Sequence, residues 1–380
     1  MKKRIAIIFG TRPEAIKCVP VIEEFKKHED LFDPLIIVTA QHREMLDQVL
    51  DMFLIRPHID LNIMQENQSL GGLAANVVRT IDRTLKDCNP DLVLVQGDTT
   101  TTFVSALAAF YNKIPVGHIE AGLRTFNKQH PFPEEINRQL TSVVTDIHFA
   151  PTQRAVNNLI SLGVVRDRIF LTGNTVVDAL LYIKNHIENI ILPVALTDAK
   201  KMILVTAHRR ENFDQPIKNI CTAIKQLIEL RDDVEVIYPV HLNPNIKGPV
   251  FEQLSGIERV HLIPVQSYGS FVKLMSRAHI ILSDSGGVQE EAPSLGKPVL
   301  VLRETSERME AVEAGAVNIV GTNSEIILRE TIRLLDNKNL YSKMANIKNP
   351  FGDGKAAERI VSGLSYYFGF GGRPSEFELR

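Results

Sequence analysis

Three carboxylates in the first half of the chain, Asp98, Glu120 and Glu134, stand where acid–base chemistry could use them. Asp98 follows an apolar run in Gln96-Gly97-Asp98-Thr99-Thr100-Thr101-Thr102, and Glu120 closes another in His118-Ile119-Glu120-Ala121-Gly122-Leu123-Arg124. Glu134 follows two prolines in Pro131-Phe132-Pro133-Glu134-Glu135-Ile136-Asn137-Arg138, which fix how its helix begins. Grouped carboxylates repel one another and burial raises their pKa values, so one can stay protonated beside an ionised neighbour. Such a pair supplies a general acid and a general base. Blander uses fit the same residues. Asp98 could serve only as a helix cap, and Glu134 with Arg138, four residues on, only as a surface ion pair.

A second set of residues suits an anion. Ser283-Asp284-Ser285-Gly286-Gly287-Val288-Gln289-Glu290-Glu291 joins an apolar run to a helical pattern. A strand turning through small residues into a helix presents backbone N–H groups to a phosphate, and Gly286 and Gly287 allow close approach. Ser285 adds a hydroxyl, and Glu291 could accept from ribose hydroxyls. An ordinary turn capped by Asp284 or Ser285 is the plainer reading. Cations recur at comparable places: Arg12 and Lys17 in Phe9-Gly10-Thr11-Arg12-Pro13-Glu14-Ala15-Ile16-Lys17, the loop His208-Arg209-Arg210-Glu211-Asn212, and Arg308 in a charged loop after an apolar run. Two cations at a strand end suit a diphosphate. There is no Gly-x-Gly-x-x-Gly, so a dinucleotide fingerprint is absent. His241 has no partner at zinc spacing and reads as structural or as support for a neighbouring site residue.

The elements that must carry these residues alternate from end to end. Strands are expected at Arg4–Phe9, Pro34–Thr39, Asp91–Val95, Pro115–Ile119, Ile147–Ala150 and Ile169–Leu171, with helices near Ala15–His28, Arg43–Phe53, Ser69–Asp87, Thr100–Tyr111, Glu134–Val144, Thr152–Leu162 and Val176–Asn189. After a weakly patterned stretch, Ile190–Ala199, the pattern restarts. Further strands are expected at Met202–Thr206, Val234–Tyr238, Val260–Ile263, Ile280–Ser283, Val299–Leu302 and Asn318–Val320. Helices should lie near Ile217–Arg231, Tyr268–Arg277, Val288–Leu295 and Glu325–Leu335. Near-continuous Val/Ile/Leu strands between helices indicate parallel sheets covered on both faces. The expectation is an α/β chain of two Rossmann-like domains, 1–172 and 173–359, with 360–380 packing back on the first and a ligand in the crevice between them. Gly369-Phe370-Gly371-Gly372-Arg373-Pro374 reads as irregular or frayed.

Composition narrows the class. A chain of 380 residues is long for one core, and 43 basic against 45 acidic residues give no nucleic-acid or polybasic membrane surface. Cys18, Cys88 and Cys221 lack metal or redox spacing, which argues for a reducing compartment. The basic start before Ile5-Ala6-Ile7-Ile8-Phe9 has too short an apolar run for a signal peptide, so a first strand and a cytoplasmic location are expected.

Taken together, these motifs resemble the non-hydrolysing UDP-N-acetylglucosamine 2-epimerases. Thr39-Ala40-Gln41-His42-Arg43, Gly173-Asn174-Thr175 and Gly296-Lys297-Pro298 add to the likeness, which runs from Arg4 to about Gly363. The resemblance implies a GT-B-like fold, a homodimer joined through the first domain, and interconversion of UDP-GlcNAc and UDP-ManNAc without NAD or metal. It implies uracil near Gln266 and Phe271, and ribose and phosphates at Ser285, Gly286, Gly287, Glu291 and Arg308, with Arg12, Lys17 and His208 closing on them. Acid–base roles would fall to Asp98, Glu120 and Glu134, supported by Arg138 and His208. Met309 departs from the Arg-Pro-Glu of many relatives, which would loosen the loop bearing Arg308. Asn67 stands where relatives activated by a second UDP-GlcNAc can carry Arg, so activation stays open.

The chemistry so implied is elimination of UDP to 2-acetamidoglucal followed by re-addition. A hydrolysing epimerase releasing ManNAc, a GT-B glycosyltransferase and a non-catalytic nucleotide-sugar binder are the rivals.

Overall fold

The computed structural model describes residues 1–40, 43–63, 68–188, 190–194 and 199–379. Gln41, His42 and Asn67, and part of the expected interdomain stretch, lie outside the described residues. The chain divides into two compact units, Met1–Ala179 with Phe351–Glu378, and Leu180–Pro350 with the last two positions. The first crossover therefore falls inside a helix, Thr175–Lys184, and the chain returns to the first unit at Phe351.

The first unit holds, among the described residues, a parallel sheet of seven strands. They are β1 Lys3–Phe9, β2 Phe32–Val38, β3 Ile59–Asp60, β4 Leu92–Gln96, β5 Val116–Ile119, β6 Ile147–Ala150 and β7 Ile169–Leu171. Their order is β3-β2-β1-β4-β5-β6-β7. Ile5 to Phe9 on β1 and Leu92 to Val95 on β4 are wholly buried, as central strands covered by helices must be. One face packs Ala6, Ile8, Val93 and Val95 against Val77, Ile81 and Leu85 of the helix Leu70–Cys88 and Val104 and Ala108 of Thr100–Tyr111.

The second unit repeats the plan with β8 Lys201–Thr206, β9 Val234–Pro239, β10 Val260–Ile263, β11 Ile280–Ser283, β12 Val299–Val301 and β13 Val317–Ile319. The order is β10-β9-β8-β11-β12-β13, again all parallel. In both sheets the order reverses beside the first strand: between β1 and β4, and between β8 and β11. At such a switch point the loops leave in opposite directions and open a crevice at the strand C-termini. Two doubly wound sheets in series make the expected α/β, GT-B-like architecture.

Several elements differ from the sequence expectation. The helix Pro244–Leu254 has no counterpart among the expected helices: Pro244 sits in its first turn and the Asn243 side chain accepts the Asn245 N–H at 2.9 Å. The helix expected over Val288–Leu295 runs Gly286–Glu291 and tightens to a 3-10 turn at Ala292–Leu295, where Pro293 removes a backbone donor. The helix Ala356–Tyr367, for which no expectation was made, packs on Arg12–Lys26. The tail is irregular as expected, but it is tied down rather than frayed. Phe377 is buried and donates its N–H to Leu171 O at 2.8 Å, and the Arg373 guanidinium donates to Ile169 O at 2.6 Å over the Phe170 ring.

Candidate active site

In the first unit the β1 and β4 turns are tied by a residue that was not singled out, Glu14. Its Oε2 accepts the N–H groups of Gly10 (2.9 Å) and Thr11 (2.7 Å) and the Thr11 hydroxyl (2.8 Å). Its Oε1 accepts the hydroxyls of Thr99 (2.5 Å) and Thr102 (2.9 Å). Five donors meet one buried carboxylate, so the loop carrying Arg12 is locked to the loop carrying Asp98. The sequence signal was present: an acid three residues after Thr11 at a helix start is the spacing of a capping box.

Asp98 is not the cap of its helix. Thr99 takes that role, accepting the Thr102 N–H at 3.2 Å. Asp98 Oδ2 instead accepts from Arg138 Nη2 at 2.5 Å, across 40 positions of chain. Burial pushes the Asp98 carboxyl up from the ordinary range, Glu120 pushes the same way, and Arg138 and Lys17 pull against them. Asp98, Glu120, Lys17 and Arg138 thus form one electrostatic group at the ends of β4 and β5.

Glu120 sits at φ 67°, a left-handed backbone that a side chain this large rarely adopts. Strain of this kind is held in place by its surroundings. Here Lys17 Nζ bonds Glu120 Oε2, and Gln96 Nε2 donates to the same oxygen at 2.8 Å. Lys17 is therefore not the solvated lysine that an ordinary helix surface would give; its side chain is largely buried.

The helix Glu134–Val144 contributes Arg138, whose partners are Asp98 and, at 3.5 Å, Glu135. The expected Glu134–Arg138 surface pair is replaced by this inward one. Glu135 is fully buried and accepts the N–H groups of Thr125 (2.9 Å) and Phe126 (3.1 Å). Burial pushes its carboxyl up, but Thr125, the Gln139 amide and the Arg138 charge together hold it below the usual range. Glu134 is half-buried at the first position of the same helix. Arg124, pushed down to about 10 by burial, donates to Ser142 Oγ and Leu123 O and stays charged near neutrality.

In the second unit the β8 and β11 turns are again tied by a buried acid. Asp284 Oδ2 accepts the N–H groups of His208 (2.7 Å) and Arg209 (2.8 Å) and the Asn212 amide (2.8 Å). Asp284 is thus turned away from the helix it precedes, and the Ser285 hydroxyl makes no cap bond either. Neither plain capping reading holds. Burial lowers the His208 pKa while the Asp284 charge works the other way. The His241 ring stacks on His208 with centroids 5.8 Å apart.

Two guanidiniums stand over the helix start. The position a Cβ would take at Gly286 lies 3.6 Å from the Arg308 Cζ and 3.7 Å from an Arg209 Nη2. Arg308 is held there by Glu290 Oε1 at 2.5 Å, and its N–H by Ser306 Oγ at 3.0 Å, with Ser306 donating to Gln289 at 2.6 Å. Met309 starts the helix Met309–Ala314. Glu291 is buried and accepts the Tyr268 hydroxyl at 2.7 Å. Gln266 and Phe271 flank the cap Ser267 at the start of Tyr268–Arg277, both half-buried, with Gln266 donating to Pro264 O at 2.6 Å.

Among the described residues no cluster of His, Cys, Asp and Glu could hold a metal ion, and no helix is long and apolar enough to cross a membrane.

The family model for UDP-N-acetylglucosamine 2-epimerase matches residues 23–365. A UDP-N-acetylglucosamine 2-epimerase of Neisseria meningitidis is 52% identical over 370 residues, covering 95% of this chain and 99% of the relative. One from Bacillus subtilis is 50% identical, covering 97% of each. Among solved structures, the Neisseria meningitidis epimerase bound to UDP-GlcNAc superposes with a TM-score of 0.88 over 96% of this chain and 100% of that one, at 52% identity. The Methanocaldococcus jannaschii epimerase in complex with UDP-GlcNAc and UDP does so with a TM-score of 0.79 over 96% and 99%, at 37% identity.

Proposed function

The chain belongs to the UDP-N-acetylglucosamine 2-epimerase family, and on that premise we propose that it interconverts UDP-GlcNAc and UDP-ManNAc without hydrolysis. The observation that carries the chemical part is the buried group Asp98–Arg138 and Glu120–Lys17 at the switch point of the first sheet. It supplies two carboxylates in contrasting surroundings, one of them driven up by burial.

The hydrogen at C2 has no neighbouring carbonyl, so removing it alone would leave a bare carbanion. Its loss is coupled to departure of UDP. The C2–H bond breaks to a carboxylate, C1=C2 forms, and the C1–O bond breaks with its electron pair going to the β-phosphate oxygen. The products are 2-acetamidoglucal and UDP. Re-addition runs the same steps backward with the proton delivered to the opposite face. Asp98, Glu120 and Glu134 serve as the acid–base groups in this reading, with Arg138 holding Asp98.

UDP binds mainly to the second unit. Gln266 and Phe271 meet the uracil, Glu291 the ribose, and Ser285, Gly286, Gly287 and Arg308 the phosphates. Arg209, placed over Gly286, joins them. Arg12, Lys17 and His208 approach the diphosphate and stabilise it as it leaves. Exclusion of water from the reacting sugar protects the glucal.

The same reading makes the protein a cytoplasmic homodimer whose product supplies cell-surface polysaccharide. The dimer contact is in the first unit, where Phe110, Tyr111, Leu140 and Val143 leave apolar surface exposed on two helices that pack together.

The test is NMR of the products from UDP-GlcNAc alone. The expected result is a stable mixture of UDP-GlcNAc and UDP-ManNAc. Accumulating free ManNAc with UDP points to the hydrolysing reaction, and turnover only with an added acceptor points to a glycosyltransferase.

A further inference from the structure

Asp98 is aimed by its backbone as much as by Arg138. Gly97, at φ 79°, donates its N–H to Ile119 O at 3.0 Å, and its carbonyl meets His118 Nε2 at 2.7 Å. The next carbonyl, that of Asp98, accepts from Asn137 Nδ2 at 3.0 Å. A carbonyl can only accept, so the His118 proton resides on Nε2, and the imidazole is a neutral donor to the turn.

His118 is fully buried on β5, at a position where a parallel strand ordinarily carries Val or Ile. Its Nδ1 finds no hydrogen-bond partner. A buried imidazole with one nitrogen unpaired is a poorer core residue than an aliphatic one. What the site gains is the bond made by the other nitrogen.

Resting on the reading above, we propose that His118 is a positioning residue for the C2 chemistry: it clasps the Gly97 carbonyl from β5, while Asn137 clasps the next one from the helix Glu134–Val144, and together they fix the direction of Asp98. The groups that face this turn are few. Lys17 comes from the helix Arg12–Lys26, Glu120 from the end of β5, Arg124 from the loop after β5, Arg138 from the helix Glu134–Val144, and His148 from β6. Burial pushes His118 down to about 4, so it stays neutral through the working range and does not itself titrate there.

The experiment compares wild type, His118→Gln, His118→Phe and Asn137→Ala, reading kcat and KM for UDP-GlcNAc against pH, with UDP affinity and melting temperature alongside. Gln places an amide donor near the Nε2 position and should keep kcat within about threefold of wild type. Phe fills the space without a donor and should lower kcat by about tenfold or more, with KM changed by about twofold at most. Because burial is the largest influence on Asp98, freeing the turn should also move the carboxylate ionisation of the kcat profile to lower pH. Asn137→Ala should act in the same direction, which keeps the test alive if His118→Phe does not fold. Wild-type kcat and pH profile in both His118→Phe and Asn137→Ala would overturn the positioning role alone. A wild type that makes no UDP-ManNAc would overturn the functional reading and this role with it.

Discussion

Asp284 and His208 lie on adjacent parallel strands' exit loops, 76 positions apart, and the Asp284 carboxylate accepts the His208 N–H at 2.7 Å while its other oxygen lies 3.3 Å from His208 Nδ1. One acid thus holds the backbone of the histidine and sets a charge beside its ring. Because the Asp284 charge raises the His208 pKa against the larger lowering by burial, Asp284→Asn should move the His208 titration to lower pH, as followed by NMR. The same change removes acceptor capacity for the Arg209 N–H and should lower kcat/KM by about tenfold to a hundredfold through misplacement of the loop. An unmoved His208 titration would contradict this account of the loop.

Glu290 holds Arg308 over Gly286 before any ligand arrives. Replacing Glu290 with Gln should leave UDP able to bind but oblige it to order Arg308. A cost of about 0.5–1.5 kcal/mol for immobilising one such side chain corresponds to a few-fold to tenfold loss of UDP affinity by calorimetry. Arg308→Ala should lose more, since it removes the contact itself. Equal affinity in Glu290→Gln and wild type would show that Arg308 needs no prior placement.

Glu14 is the knot of the first unit, and Glu14→Gln turns one of its acceptors into a donor facing donors. Breaking a buried network of this kind costs roughly 2–4 kcal/mol, measurable in urea unfolding. Activity should fall further than stability explains, because the turns bearing Arg12 and Asp98 lose their common tie.

Asp178 gives the fold a pH dependence of defined sign. Burial pushes its carboxyl from 3.8 up to about 7, even though it accepts the Ala357 N–H at 2.9 Å at the start of the helix Ala356–Tyr367. A folded-state value above the unfolded one means that the protonated acid favours folding. That contribution is complete below pH 3.8 and is lost as pH rises to about 7. Asp178→Asn keeps an acceptor for Ala357 and removes the charge, so it should raise the melting temperature at pH 8 and change it little at pH 4. The reverse pattern would contradict the assignment.

The alternation of Val/Ile/Leu runs with helical periods was enough to place nearly every strand of both sheets, because central parallel strands are apolar on both faces. Ile59–Asp60 escaped because a two-residue edge strand leaves no periodic trace. Pro244–Leu254 escaped because Asn-Pro reads equally as a turn and as a capped helix start, and only the contacts of the helix decide. The candidate acid–base positions were visible as carboxylates at strand ends and at a helix start. Their pairings were not. Arg138 looked like the partner of Glu134 at helical spacing, yet tertiary packing gives it to Asp98. Glu14 and Asp284, which hold the two pairs of loops, were hidden because each stands inside a motif whose other residues drew attention to the ligand. An acid that satisfies backbone donors has the same one-letter signature as an acid that moves a proton.

The central claim is that a carboxylate of the first unit takes the hydrogen from C2 while UDP leaves C1. Incubating the protein with UDP-GlcNAc in D2O tests it most directly. The account predicts deuterium at C2 in UDP-ManNAc and, with time, in the remaining UDP-GlcNAc, with exchange abolished in Asp98→Asn or Glu120→Gln. UDP-ManNAc formed with hydrogen retained at C2 would contradict it.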